Sequence, residues 1–549
     1  MLFSTSLLYA RRVQVADLFY DIDENSYSAE VTFESELFSE SDNYNNISSV
    51  AIPSTIIYEG ETYNVIGIGN SAFHSCSTLK SVSISDGVIS IGDDAFNNCD
   101  SLISIDAPNT LITIGESAFW GCINLRTIHI PNSVTNIGMS AFHNCGFTSV
   151  EIPNSINRIS ESLFSSCHNL ISVTLPDSLT SIGAYAFDNC NNLMSITIPS
   201  NVTKIEKFAF HYCNNLATII WEAKECADFN SVMFSPSVET IIFGNSVNKI
   251  PSYLCSGMNK LTIVNIPENV ITVGANAFYN CVNIKSINIP NSVTSIGANA
   301  FYNCRSLQSV SIPSSLINIG NKAFYNVLNI VYNGTLANAP WGAKCQNGFI
   351  EGEFVYADQT KKELRGCSVT ASGCITIPAG VISIGERTFA YCDSITSVII
   401  PNSVNGIADE AFYSCSALTS ISIPGSVINI GNSAFSTCGS LSSVEIQDGV
   451  KSIGQAAFSY CVSLTNIEIP NSVTNIGDYA FRKCKLSSIT IPNGVTKIGR
   501  CTFYECSALT SVVLPQRTTN IESSAFYKCS NLATITIPPI LRYFLTKFL

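Results

Sequence analysis

The sequence predicts an α/β-type solenoid, a right-handed coil with a parallel β-sheet on one face and short helical or 3-10 turns on the other. Three observations predict it. An Ala-Phe pair or near-equivalent recurs at Phe73, Phe96, Phe119, Phe142, Phe164, Phe187 and Phe210, in steps of 23 with one of 22. Before most turns stands a short alternating apolar run that ends in proline, as at Pro131, Pro153 and Pro199. Sixteen of the 22 cysteines sit three residues after a repeat Phe. The period resumes at Phe278, Phe301 and Phe324, and again from Phe389 through Phe412, Phe435, Phe458, Phe481 and Phe503 to Phe526. Two eroded units lie around Phe234 and Leu254.

One unit reads Leu125-x-x-Ile128-x-Ile130-Pro131-Asn132-Ser133-Val134-x-x-Ile137-Gly138-x-x-Ala141-Phe142-x-x-Cys145. Alternation around Ile128 and Ile130 marks a half-buried strand. Pro131 ends it, having no N–H for the ladder. Gly138 recurs as Gly69, Gly92 and Gly115 and suggests a tight corner. Ser160, Glu206, Ala408 and Glu522 replace it elsewhere, so a positive φ is not obligatory there. The Ala-Phe-x-x-Cys segment fits one helical or 3-10 turn with Ala, Phe and Cys inward. A single unit cannot bury such a face, whereas a stack can. The period also lies in the roughly 20–29-residue window of leucine-rich repeats.

The array divides the chain. Residues 1–50 carry no repeat and are expected to form a strand-containing cap, because an end coil otherwise exposes its apolar layer. Repeats fill 51–220, then degenerate over 221–263. A second block spans 264–327. Residues 328–376 are a non-repeat insert in which Gly348–Tyr356 and Lys362–Cys367 flank a polar turn, the pattern of a β-hairpin. The third block covers 377–539, and the apolar tail 540–549, too short to span a bilayer, reads as a C-terminal cap. At the N-terminus an apolar stretch precedes Arg11 and Arg12, the reverse of a secretory signal, although Val13-Gln14-Val15-Ala16 has the small residues of a cleavage site. A clipped start and an ordinary first strand both fit.

Composition excludes several functions. In 549 residues, 13% are charged, against ~25% in typical soluble domains. The formal net charge of -13 and the lack of any Lys/Arg cluster along the sequence argue against nucleic acid and against an anionic membrane surface. No apolar run reaches the length of a transmembrane helix. Gly-rich phosphate loops are absent, since the repeat Gly occurs singly.

The segment IPNSVTSIGANAFYNCRSLQSVSIP (residues 289–313) resembles the repeat of BspA-like leucine-rich-repeat proteins, and the similarity covers roughly residues 50–539. It departs from the commoner leucine-rich consensus, because Ser133 or Gly87 occupies the Asn-ladder position. ADLFYDIDENSYSAEVTF (residues 16–33) resembles the leader module of such proteins. The resemblance implies a secreted or cell-surface protein with adhesion and host or matrix binding as its role.

Candidate chemistry is sparse. Equivalent side chains in a stack point the same way, which is poor geometry for disulfides, so the ladder cysteines read as small buried hydrophobes. Of the six others, Cys226 and Cys255 fall in one insert and Cys345, Cys367 and Cys374 in the second, and either set is a candidate disulfide in an exported protein. No CxxC occurs and no His stands nearby, so no metal site is expected. Asp106, His129 and Glu151 fall on successive strands in an outward column that varies from coil to coil, where ligand specificity would be written. They are also the nearest approach to an acid/base cluster, though an open polar face usually amounts to a solvated patch. Behind the repeat Phe stands an aromatic column that includes Trp120, Tyr279, Tyr302 and Tyr325, suited either to gripping a partner or to covering the joints between coils. A Ser/Thr column beginning at Ser81, Ser104 and Thr127 is expected to bond along the stack.

The sequence therefore predicts a non-enzymatic scaffold that binds a protein or glycan ligand, with no cofactor. A self-associating structural surface component, or an enzyme-associated module with activity in the 328–376 insert, are the alternatives.

Overall fold

The structure, a computed structural model, describes residues 11–33, 44, 46–336, 339 and 341–539. The expected tail cap at 540–549 and the first ten residues lie outside the described residues. The chain forms two compact units, Met1–Asn303 with Ser315–Ala323, and Cys304–Ser314 with Phe324–Leu549.

In the first unit most regular coils contribute to two parallel ladders. One is built from the alternating runs, as in Ser49–Ile52, Ser81–Ile84 and Ser104–Asp106, with Val82 opposite Ile105. The other is built from two-residue strands before the Gly corner, as in Ser90–Ile91, Thr113–Ile114 and Asn136–Ile137. Pro153 stands just past the strand Ser149–Glu151, and its carbonyl accepts the Ile156 N–H at 3.0 Å to close the next turn. At the N-terminal end, Arg11–Val15, Leu18–Asp23 and Ser28–Thr32 form an antiparallel meander whose last strand pairs parallel with Glu61–Ile68. Tyr20, Ile22, Ala29 and Val31 from this meander are buried.

The second unit repeats the plan. Gly373–Thr376, Ile395–Ile399, Ser420–Ile423, Ser443–Ile446 and Asn466–Glu468 form one ladder. The insert holds Phe349–Glu351, Phe354–Tyr356 and Glu363–Cys367 as an antiparallel meander, and its last strand pairs parallel with Ser383–Ile384.

One expectation fails. No helical or 3-10 turn forms on the face opposite the strands; no coil among the described residues holds one. A left-handed residue stands before the Ala-Phe pair, and a second one just before the Cys. Asp94 (φ 55°) and Asn98 (φ 57°) flank Ala95, Phe96 and Asn97, and the pattern recurs at Asn276 and Asn280 and at Tyr479 and Lys483. A left-handed residue on each side of the Phe prevents a helix. It also turns every second amide toward the next coil: the Asp94, Phe96 and Asn98 N–H groups donate to the carbonyls of Glu116, Ala118 and Trp120 at 2.7–2.8 Å. Inter-coil bonds thus replace the intra-helical bonds that were expected. Ala, Phe and Cys do point inward. Phe73, Phe96 and Phe119 are fully buried and stack face to face with centroids 5.1 and 5.2 Å apart.

The Gly corner has its own reason. Gly115 keeps a negative-φ conformation, but a Cβ there would lie 2.5 Å from the Gly92 carbonyl carbon and 2.6 Å from the Asp93 nitrogen. Close approach of coil to coil, rather than backbone handedness, selects glycine.

Candidate functional site

The strand face comes first, since it carries the variable outward column. Asp106 and Glu151 are exposed at the ends of Ser104–Asp106 and Ser149–Glu151. His129 is exposed too, but residues 126–130 form no strand. Asp106 therefore lies in a ladder with Ser83, and Glu151 in a separate ladder with Thr174. The three side chains are not held on adjacent paired strands, and none of them forms an ion pair among the described residues. Ser49–Ala51, Ser81–Ser83 and Ser104–Asp106 line a shallow open depression of about 360 Å³ on this face, with Asp106 at its border.

The aromatic column is only partly a continuous surface. Trp120 stacks on His143 with centroids 5.4 Å apart and planes within 3°. Burial lowers the His143 pKa. Tyr279 and Tyr302 stack at 5.0 Å, and Tyr279 is 37% exposed. In the second unit the Arg387 guanidinium lies 3.8 Å over the Tyr325 ring and also meets Glu410 at 3.2 Å. One Tyr325 face is therefore already occupied.

The cysteine ladder turns out to be a hydrogen-bonded column. Most of its thiols donate to the carbonyl of the repeat Phe one coil back: Cys99 to Phe73 at 3.1 Å, Cys122 to Phe96 at 3.2 Å, Cys438 to Phe412 at 3.1 Å. Burial raises the pKa of Cys99 and Cys122 and pushes Cys76 and Cys167 up to about 12. All cysteines are present as thiols. Cys255 occupies the place of the repeat Phe in an eroded coil, where its carbonyl accepts the Cys281 thiol at 2.9 Å. Cys226 is buried, as is Cys345, whose sulfur lies 3.9 Å from the Tyr356 carbonyl oxygen. Cys367 is buried beside Cys392; their hydrogen bond, followed by burial, raises the Cys367 pKa. Cys374 is exposed. Within the insert Lys344 is enclosed, with its ammonium donating to the Thr388 and Ala390 carbonyls at 3.2 and 3.4 Å. Burial lowers its pKa.

The hydroxyls that bond along the stack are not those of the Ser81 column. They include the serine two residues after the proline, where Ser178 donates to Ile156 at 2.8 Å, Ser292 to Val270 at 2.7 Å and Ser403 to Val381 at 2.7 Å, and threonines such as Thr180, which donates to Asn157 at 2.9 Å, and Thr419, to Thr396 at 3.0 Å. Among the described residues no group of three or more His, Cys, Asp or Glu is placed to hold a metal ion. No helix there is long and apolar enough to cross a membrane.

With this geometry in hand, comparison with known proteins is informative about the family. A family model described as BspA type leucine-rich repeat region, six copies, matches residues 32–171, 158–284, 229–334, 362–484 and 428–548. Among solved structures, a leucine-rich repeat protein from Bacteroides ovatus is similar at 24% identity over 92% of this chain and 95% of its own, with a TM-score of 0.43. A leucine rich cell surface protein from Faecalibacterium prausnitzii matches at 20% identity over 96% and 94%, TM-score 0.25. The Treponema pallidum leucine-rich repeat protein matches at 24% identity over 33% of this chain and 91% of its own, TM-score 0.27. A search of curated proteins finds no match.

Proposed function

Since the chain belongs to the family of BspA-type leucine-rich-repeat proteins, we propose that it is a non-enzymatic binding scaffold, secreted or displayed at the cell surface, that meets a protein or glycan partner. One observation carries this reading. The recurring residues of each coil are spent inside, on the Phe stack, the thiol column and the ladder bonds, whereas the outward strand column varies and stays exposed. A conserved interior with a variable exterior is how a repeat scaffold carries specificity.

The footprint we infer in the first unit comprises Asp106, His129 and Glu151 on the strand face, with Trp120, Tyr279 and Tyr302 on the turn edge. Stacked rings with polar rims suit both sugars and protein side chains. Capture of host matrix proteins and a glycan array, each probed with the intact chain, identify the partner class. Asp106→Asn with Glu151→Gln, and Tyr279→Leu with Tyr302→Leu, are then expected to weaken capture at unchanged thermal stability. Full capture by both double variants would remove this footprint.

A further inference from the structure

We propose that the turn edge of the last coils, around Arg482, Arg500, Tyr504 and Tyr527, binds an acidic polysaccharide. The proposal rests on the reading of the chain as a binding scaffold, but not on the footprint in the first unit.

Charge is the first observation. Residues 451–539 hold eight Lys and Arg against four Asp and Glu, a net +4 in a chain of net -13. Three of the basic residues, Arg482, Lys483 and Lys485, fall within four positions, and the others are spread over several coils. Coiling gathers them, because positions one repeat apart become neighbours. The Arg482 guanidinium sits over the rings of Tyr460, Tyr479 and Tyr504 at 5.1, 5.9 and 5.2 Å, and Arg500 over Tyr479 at 5.3 Å. Tyr504 stacks on Tyr527 at 5.1 Å, and Tyr527 is 51% exposed.

The pairing of these cations is the second observation. Lys483 and Lys528 flank Glu505 at 3.3 and 3.2 Å and share its charge. Arg482 and Arg500 form no ion pair among the described residues, and the buried Arg482 Nε has no hydrogen-bond partner. Two guanidinium groups are thus held by aromatic faces with their forks unfilled. A guanidinium fork matches a carboxylate or a sulfate in two parallel hydrogen bonds.

The geometry favours a sugar polymer among polyanions. The edge repeats at the coil spacing, with successive rings 5.1–5.6 Å apart, and each pyranose of an extended chain advances by about one coil. Its flat apolar face suits the half-exposed Tyr527 ring, which the Lys528 ammonium flanks at 5.6 Å, and its acidic groups suit the forks. Single-stranded nucleic acid also uses cations and aromatic rings. It needs open ring faces for its bases, however, and here Arg482 and Arg500 already cover Tyr460 and Tyr479.

The test uses the intact protein with heparin and polygalacturonate as probes, alongside neutral dextran, poly-dT and phosphatidylserine vesicles. Both acidic polysaccharides are expected to bind and dextran not to, with affinity falling roughly tenfold or more between low and physiological salt. Arg482→Gln with Arg500→Gln is expected to lower affinity at least roughly tenfold, because each fork contributes a charge-assisted pair. Arg482→Lys retains more affinity than Arg482→Gln, and Tyr527→Leu weakens binding without changing its salt dependence. Should Arg482→Gln unfold, the exposed Arg500→Gln and Tyr527→Leu carry the test alone. Absence of binding, undiminished binding by the double variant, or tighter binding to poly-dT or to vesicles overturns the proposal. Loss through Asp106→Asn with Glu151→Gln, and not through the arginine variants, also overturns it while sparing the scaffold reading.

Discussion

The Cys122 thiol donates to the Phe96 carbonyl oxygen at 3.2 Å, one coil back. That oxygen already accepts the Cys99 N–H at 3.2 Å, so the thiol ties two coils at a single buried point. Cys122→Ala removes this bond and leaves a small void in a close-packed column. The expected cost is about 1–3 kcal/mol, combining a lost buried hydrogen bond with a small cavity. Denaturant melts followed by circular dichroism measure it. A change below about 0.5 kcal/mol would mean that the thiol only fills space.

The same burial fixes reactivity. Cys374 is the one fully exposed cysteine, and Cys529 is intermediate. A thiolate is the reacting species, and burial withholds both access and ionisation from the rest. An aromatic disulfide reagent at mildly alkaline pH is expected to titrate Cys374 fast and Cys529 slowly, and all 22 thiols only after denaturation. Fast reaction of many thiols in the folded protein would contradict a buried column.

Alkali is expected to unfold the protein through those thiols. Cys76, Cys167, Cys213, Cys281 and Cys506 are each pushed up to about 12 from an ordinary 9. Above pH 9 the unfolded chain releases these protons and the folded chain keeps them, so stability falls as pH rises, between about 9 and 12. At pH 10 each such thiol contributes a loss of about 1 kcal/mol. Denaturant midpoints are expected to hold steady to pH 8 and to drop sharply by pH 10. A midpoint unmoved at pH 10 would require the thiols to be wet.

How much of this was legible in the sequence depends on what each residue type discloses. Period, strand ends and the inward Phe and Cys could be read because burial repeats the same apolar residues at the same places. The break at residues 126–130 could not, since Thr127-Ile128-His129-Ile130 alternates as well as its neighbours; Asp106 and Glu151 consequently fell in separate ladders. Arg482, Arg500 and their tyrosines were hidden by the repeat itself, which separates spatial neighbours by a whole coil. The second ladder was missed because its strands are only two residues long. The corner glycines pointed to the right place for a different reason, close packing against the preceding coil.

Glycine gives a direct comparison. Gly115→Ala drives a Cβ into the backbone of the preceding coil, while Gly439→Ala meets nothing within 4 Å. Ser160, Glu206, Ala408 and Glu522 hold the corner elsewhere, so a coil can shift to admit a side chain. The expected loss for Gly115→Ala is therefore about 1–3 kcal/mol, the range for overpacking. Gly439→Ala is expected to be neutral or slightly stabilising. Equal melting of the two variants would show that coil-to-coil approach does not select the corner residue.

The turns yield the last prediction, at the point where the helical expectation failed. Left-handed positions before the ladder cysteine hold Asn in several coils, including Asn98, Asn144, Asn189, Asn280 and Asn303. Asn tolerates this conformation because its short side chain bonds locally, so this column was the available signal against a helix. Thr437 occupies the same position at φ 60°, where a β-branched side chain is strained. Its hydroxyl donates to the Ser436 carbonyl oxygen at 2.6 Å, a bond that offsets part of that strain. Thr437→Gly removes both the strain and the bond, and Asn280→Ala removes the favoured side chain in an otherwise equivalent turn. Thr437→Gly is expected to stabilise by up to about 1 kcal/mol, and Asn280→Ala to destabilise by a similar amount. If these turns were helical, the signs would reverse, because glycine weakens a helix and alanine strengthens it. The direction of two melting shifts therefore decides the backbone conformation of the whole edge.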